Sequence, residues 1–161
     1  MAQQKKGVLG NGTAVWIVHG TVRTLTKMSC IKALVLGDDS ATEIITTCLE
    51  ETNTATSDYG LVTPGEGSVQ IDTDPKNQSH MTVLQLAANK ERVEVYVGWS
   101  DGIAEPTLTG SDVELPETRT WSSFEAILRK GSPVFAVDAM VNHTIPMKRQ
   151  SEVIDQFKVT P

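Results

Sequence analysis

The apolar residues of this chain recur mostly at every second position, the period of a half-buried strand. In "TAVWIVHG" both phases are apolar, Ala14, Trp16 and Val18 in one and Val15 and Ile17 in the other. Both faces of this first strand are therefore expected to be covered. "IKALVLGDDSATEIITTCLEET" reads as two strands, 31–36 and 43–49, around a Gly-Asp-Asp-Ser turn. The β-branched run Ile44-Ile45-Thr46-Thr47 favours strand over helix. "SVQIDTD" alternates with Val69 and Ile71 inward, and "ERVEVYVGWSDG" sets Val93, Val95 and Val97 against Glu94 and Tyr96. "TWSSFEAIL" and "PVFAVDAMV" read as a strand pair across "RKGS". "SEVIDQFKV" closes the chain with Val153, Phe157 and Val159 on one face.

One segment has the helical period. Asp74 is placed to cap it, Pro75 suits the first helical position, and "KNQSHMTVLQLAANK" follows. Met81, Leu84 and Ala88 form one stripe, with Val83, Leu86 and Ala87 beside it. Asn89 is the expected left-handed residue after the helix, with Lys90 beside it. Two acidic, polar stretches separate these elements. Residues 50–65 read as a long loop or an extended hairpin tip, either mobile or ordered only by a partner, and residues 101–118 as a second long loop. The expected order is four β segments, one helix and four β segments. That is a mainly β fold, a β-sandwich or small barrel with one packed α-helix.

Composition narrows the setting. A chain of 161 residues with 39% apolar content suits one domain, here residues 13–161, behind an N-terminal arm of residues 1–12. No apolar run approaches the ~18 residues of a membrane span. "MAQQKKGVLGNG" has no apolar stretch behind its lysines, so a secretory leader is not expected and folding in a cytoplasm is. The sequons at Asn11, Asn77 and Asn142 are then incidental. Cys30 and Cys48 form neither a disulfide framework nor a C-x-x-C pair and are expected as free thiols in or near the core. His19, His80 and His143 are scattered without ligand spacing and are expected at the surface.

Catalytic patterns do not assemble. Gly7, Gly10 and Gly12 precede the first strand, whereas a dinucleotide-binding loop follows one. The chain has no G-K-[ST], no G-x-S-x-G and no H-E-x-x-H. Carboxylates in "DGIAEPTLTGSDVELPE" depart from the EF-hand order, leaving a weak loop-bound cation as an alternative. No catalytic residue, cofactor or metal is assigned, and an enzyme is not expected.

Charge is more informative. The net charge is −6 and it is segregated. Residues 1–32 hold Lys5, Lys6, Arg23, Lys27 and Lys32 and no acid, whereas residues 33–75 hold nine acids and no base. One reading is solvated acidic loops. The other is a body with a basic and an acidic region, able to stack head to tail on its own copies. The acidic balance argues against ordinary nucleic-acid binding.

Taken in order, "GNGTAVWIV", "TEIITTCLEET", "DYGLVTPGEGSVQIDTD", the helix after Asp-Pro and the closing "VIDQFKVTP" resemble the major tail (tail tube) proteins of long-tailed phages, the lambda-like group in particular. The resemblance runs from about Gly10 to Thr160 and rests on element order rather than an invariant signature. It implies a structural subunit. Hexameric rings stack into a hollow tube around a tape-measure protein, between distal tail and tail terminator proteins, and genomic DNA passes through without specific binding. Strands of neighbouring subunits join into a ring-wide barrel. The resemblance places the chain in the virion tail, assembled in the host cytoplasm and not inserted in a membrane. It implies ring-to-ring contacts by the arm and the long loop, which makes Lys5, Lys6, Glu50, Glu51, Asp58 and Tyr59 the candidate contact residues. The C-terminal Ig-like domain of lambda's own protein is not expected here. Two other readings stand beside it: the inner tube of a contractile injection system, and a β-sandwich binding module whose aromatic platform would be Trp99.

Overall fold

The computed structural model describes residues 7–159. Among these, six strands precede the helix: β1 (Ala14–His19), β2 (Thr24–Met28), β3 (Ile31–Val35), β4 (Ser40–Ile45), β5 (Ser57–Thr63) and β6 (Glu66–Asp72). After α1 (Gln78–Ala88) come β7 (Arg92–Gly98), β8 (Thr107–Thr109), β9 (Asp112–Glu114), β10 (Trp121–Leu128), β11 (Asn142–Arg149) and β12 (Ile154–Gln156). Most of them build one antiparallel sheet in the order β2-β1-β7-β10-β11-β6-β3, with β12 paired to β10 beyond the end of β11. Its two edges, β2 and β3, are consecutive in the chain. Only Ser29 and Cys30 join them, a link that spans at most about 11 Å. The sheet must therefore curl until its edges converge at that corner. They do not pair with each other, so no barrel closes among the described residues.

The concave face carries the core. Val15 and Ile17 of β1, Val93, Val95 and Val97 of β7, Phe124, Ala126 and Leu128 of β10, and Val69 and Ile71 of β6 pack against Val83, Leu86 and Ala87 of α1. His80, 1% exposed, fastens the helix to the converging edges. Its Nε2–H donates to Ser29 O at 2.7 Å, its Nδ1 accepts from Asp74 N at 3.2 Å, and Ser29 N donates to Ser79 Oγ at 3.1 Å. The opposite face of β1 is covered too. Trp16 lies 5.3 Å from Trp121, both buried, and Trp121 Nε1 donates to Pro116 O at 3.0 Å.

Several elements depart from the expected pattern, each for a physical reason. β2 is a strand that alternation did not announce, because its "TLTKM" buries only Met28 fully. The segments 31–36 and 43–49 do not pair with each other: β3 pairs with β6 and β4 with β5, so Gly-Asp-Asp-Ser is a kink in one long ribbon rather than a hairpin turn. β4 ends at Ile45, and Thr46 and Thr47 instead bond Thr56 across the ribbon. The stretch 50–65 is the extended hairpin tip, since β5 occupies most of its second half. The acidic stretch 101–118 holds the small β8–β9 hairpin.

The final β-pair is shifted. Residues 133–141 form an exposed loop with a single bridge, Val134 to Asn142, and the strand is β11. Pro146 sits inside β11 without breaking it, because its carbonyl accepts from Arg129 N just past the end of β10, where the regular ladder has already stopped. β12 is three residues long, and Phe157 and Val159 beyond it are exposed.

The helix begins later than Asp74. Asn77 is its N-cap and accepts from Ser79 N at 3.1 Å, while Asp74 accepts from Lys76 N and forms a turn with Pro75 before it. Lys90, at φ 55, takes the left-handed position rather than Asn89. The buried stripe is Ser79, His80, Val83, Leu86 and Ala87, with Met81 and Leu84 half-buried and Ala88 exposed. Both cysteines are exposed rather than in the core, and His80 is buried rather than at the surface.

Candidate assembly surface

The ribbon made by β4 and β5 stands apart from the main sheet. Nearly every residue on it is exposed, including Ile44, Ile45, Tyr59, Leu61 (92%) and Val62, with Leu49 at the tip. Register places Glu43 opposite Tyr59 and Ile44 opposite Asp58, so apolar side chains stand on both faces. An isolated two-stranded hairpin is marginal in water, and an uncovered apolar surface signals a missing partner. Four of the expected contact residues lie on this element: Glu50 and Glu51 at its tip, Asp58 and Tyr59 on β5, all exposed. Lys5 and Lys6 lie outside the described residues.

A buried arginine holds the ribbon's root. Arg149, 2% exposed, donates from Nε to Leu36 O at 2.8 Å, from Nη2 to Gly37 O at 3.0 Å and from Nη1 to Ser151 O at 3.0 Å, and it pairs with the Asp39 carboxylate. Asp39 in turn accepts from Gly65 N at 3.2 Å, which ties both chains of the ribbon to one guanidinium. The strands cross too closely here for side chains. A Cβ at Gly67 would meet Val35 O, and one at Gly37, whose φ is +75, would meet Glu66 O.

The Arg149 hydrogen bond holds the Asp39 carboxyl below the usual carboxylate value, with the Gly65 amide assisting and desolvation opposing. A depressed folded value means that this anchoring is complete above the ordinary carboxylate value of about 3.9 and is lost as pH falls through the lower folded value. Wild-type urea midpoints should therefore drop on acidification below about pH 4, and Asp39→Asn should drop less. Equal acid slopes for the two proteins would remove Asp39 from this account.

A second buried arginine holds the root of the N-terminal arm. Arg119 is 3% exposed and lies 5.4 Å from the ring centres of both Trp16 and Trp121. It donates to Trp99 O at 2.7 Å, Ala104 O at 2.8 Å, Gly98 O at 3.0 Å and Gly12 O at 3.2 Å. Burial lowers its pKa, while Asp101 and Glu105 act in the other direction. Burial would also raise Asp101, but the Thr120 hydroxyl and amide and the charge of Lys158 outweigh it and keep that carboxyl low. Asp101 is thus committed to Thr120. Trp99 is half-buried, donates to Ser122 Oγ at 2.9 Å and meets Phe157 edge-on, so it is packed rather than offered as a platform.

Three of the five basic residues in 1–32 are paired on folding, and the other two, Lys5 and Lys6, lie outside the described residues. Arg23 pairs with Glu94, Lys27 with Glu105 and Lys32 with Asp72, so the basic residues of the first strands are neutralised within the subunit. Among the described residues, none of the ribbon acids Glu43, Glu50, Glu51 and Asp58 is in a salt bridge. No group of three or more His, Cys, Asp or Glu is placed to hold a metal among the described residues, and no helix there is long and apolar enough to cross a membrane.

An open curled sheet, a two-faced apolar ribbon and buried arginines spent on backbone carbonyls define a structural assembly subunit. The comparisons with known proteins give that class a family. Residues 6–159 match the model described as phage tail tube, lambda-like. The chain is also 32% identical over 152 residues to "Structural protein 3" of Pseudomonas phage PAJU2, covering 91% of this chain and 92% of that one. It belongs to the lambda-like phage tail tube family and is a structural tail tube subunit. Two solved structures share the fold at 8% identity. The SPP1 tail tube protein has a TM-score of 0.66, with 96% of this chain and 81% of that one covered. A chain of the anti-feeding prophage baseplate has a TM-score of 0.68, with 96% and 98% covered.

Proposed function

We propose that this chain forms hexameric rings that stack into a hollow, non-contractile tail tube through which genomic DNA is ejected. The observation that carries this reading is the β4–β5 ribbon, which exposes apolar side chains on both faces and has no cover among the described residues. The open edges β2 and β3 support it, because strands of neighbouring copies can continue the sheet around a lumen and remove unpaired edges. The tube surrounds a tape-measure protein, is bounded by distal tail and terminator proteins, and assembles in the host cytoplasm before residing in the virion. The work is mechanical and not enzymatic. A net charge of −6 suits DNA transit, since an acidic wall repels phosphates that basic side chains would trap. A chain of the sheath-tube complex of an extracellular contractile injection system shares the fold, and the lambda-like match favours the non-contractile form.

Negative-stain electron microscopy of the concentrated full-length protein tests this. Tubes or stacked rings are expected. A protein that stays monomeric at every concentration and salt would defeat the reading.

A further inference from the structure

We propose that the acidic, apolar β4–β5 ribbon of one copy docks on the basic, apolar end of the next copy formed by the 130–141 loop together with Lys90 and Lys148. This inference rests on the tube reading and assigns the acceptor surface that reading leaves open. The ribbon is the donor. Residues 40–63 hold Glu43, Glu50, Glu51 and Asp58 and no base, so charge and apolar surface project together.

The acceptor must be basic, exposed and partly apolar. The N-terminal third is excluded among the described residues, because Arg23, Lys27 and Lys32 already have carboxylate partners. Arg92, Arg129 and Arg149 are likewise paired, with Glu125, Glu66 and Asp39. Three exposed lysines without an ion pair remain near the end of β10. Lys130 follows Arg129, whose amide bonds Pro146 O; Lys148 lies opposite Ile127; and Lys90 precedes Glu91, whose carbonyl accepts from Leu128 N. The nearby acids outside ion pairs are Glu91, Asp138 and Asp74, which follows the Thr73 amide that bonds Val141 O, and Lys76 beside Asp74 is a fourth unpaired lysine, so four lysines face three acids.

Apolar surface continues from Lys130 along β11, where Val134 bridges Asn142. Val134, Phe135, Val137 and Met140 are 52%, 74%, 91% and 72% exposed, an unusual density for a single loop. Donor and acceptor share no residue, so one copy can use both at once. Such a heterologous contact propagates from copy to copy, as rings and stacks require.

Charge reversal tests the pairing in the full-length protein. Glu50→Lys with Glu51→Lys should raise the concentration needed for tube formation by about tenfold or more, and Lys90→Glu with Lys130→Glu should do the same. All four changes in one chain should restore tubes towards the wild-type threshold, because each lysine-tipped ribbon then meets a glutamate-bearing acceptor. Circular dichroism and thermal melting should match wild type throughout, since all four side chains are exposed. If wild type forms tubes and the quadruple variant assembles no better than either pair, this contact is wrong and the tube reading stands. If wild type itself never assembles, the tube reading fails and carries this inference with it.

Discussion

Arg119→Ala is expected to destabilise the subunit by about 3–5 kcal/mol, from carbonyls left without a donor and a cavity left beside two large rings. Two losses combine. The carbonyls of Gly12, Gly98, Trp99 and Ala104 each lose a charged donor. Each one left dry costs roughly 1–3 kcal/mol, although water entering the gap relieves part of this. The guanidinium also fills the space against Trp16 and Trp121, so its removal leaves a hole between two large rings. For a chain of this length a loss of that size lowers the melting temperature by roughly 10 °C. Arg119→Lys should recover only part of it, because an ammonium does not reproduce the planar fork that reaches four carbonyls. Thermal melts and urea titrations of the full-length protein check both values. A loss under about 1 kcal/mol would show that the carbonyls are solvated and the clamp is not structural.

What could be read in the sequence follows from how locally each feature is written. β1, β7 and β10 were legible because their alternation is dense and their buried residues are large: Val93, Val95 and Val97 admit no other period. The helix was legible for the same reason, but its start was not: Asp74-Pro75 reads as the cap, whereas Asn77 accepts from Ser79 N and Asp74 forms only the turn before it. β2 and the β4–β5 ribbon carry little alternation because little of them is buried in the subunit. Their pattern answers to surfaces supplied elsewhere.

The candidate surface was half legible. Glu50, Glu51, Asp58 and Tyr59 do fall on one projecting element. The basic N-terminal partner expected for them does not exist as a free surface in the described residues, because Arg23 and Lys27 find carboxylates 71 and 78 residues away. Segment sums cannot register such pairing. The apolar content of 133–141 predicts a strand, but its side chains are exposed, so the same composition marks a surface instead. Arg119 and Arg149 carry no local signal at all. A buried arginine differs from a surface one only in what surrounds it, and their bonds to Gly12 and Leu36 cross 107 and 113 residues.

Arg149→Lys should separate the ribbon's anchoring from the stability of the core. The guanidinium donates to Leu36 O, Gly37 O and Ser151 O and pairs with Asp39, whose second contact is the Gly65 amide. A lysine keeps the charge and can still reach the carboxylate, but as a point donor it cannot also serve carbonyls on both sides of the kink. The expected global loss is about 2–3 kcal/mol, from carbonyls left without a charged donor. The local effect should be larger in kind. Released from its clamp, the ribbon keeps only its own cross-strand bonds, and a two-stranded hairpin has little stability by itself. Amide hydrogen exchange over residues 40–63 should accelerate far more than over β1 or β7, whose side chains stay in the core. Tube formation should fail under conditions where the circular dichroism of the subunit is unchanged, because a ribbon that samples many directions must lose that freedom on docking. Unchanged ribbon exchange together with normal tubes would mean that Gly37, Gly65 and Gly67 set the crossing by themselves, and that Arg149 only fills space beneath it.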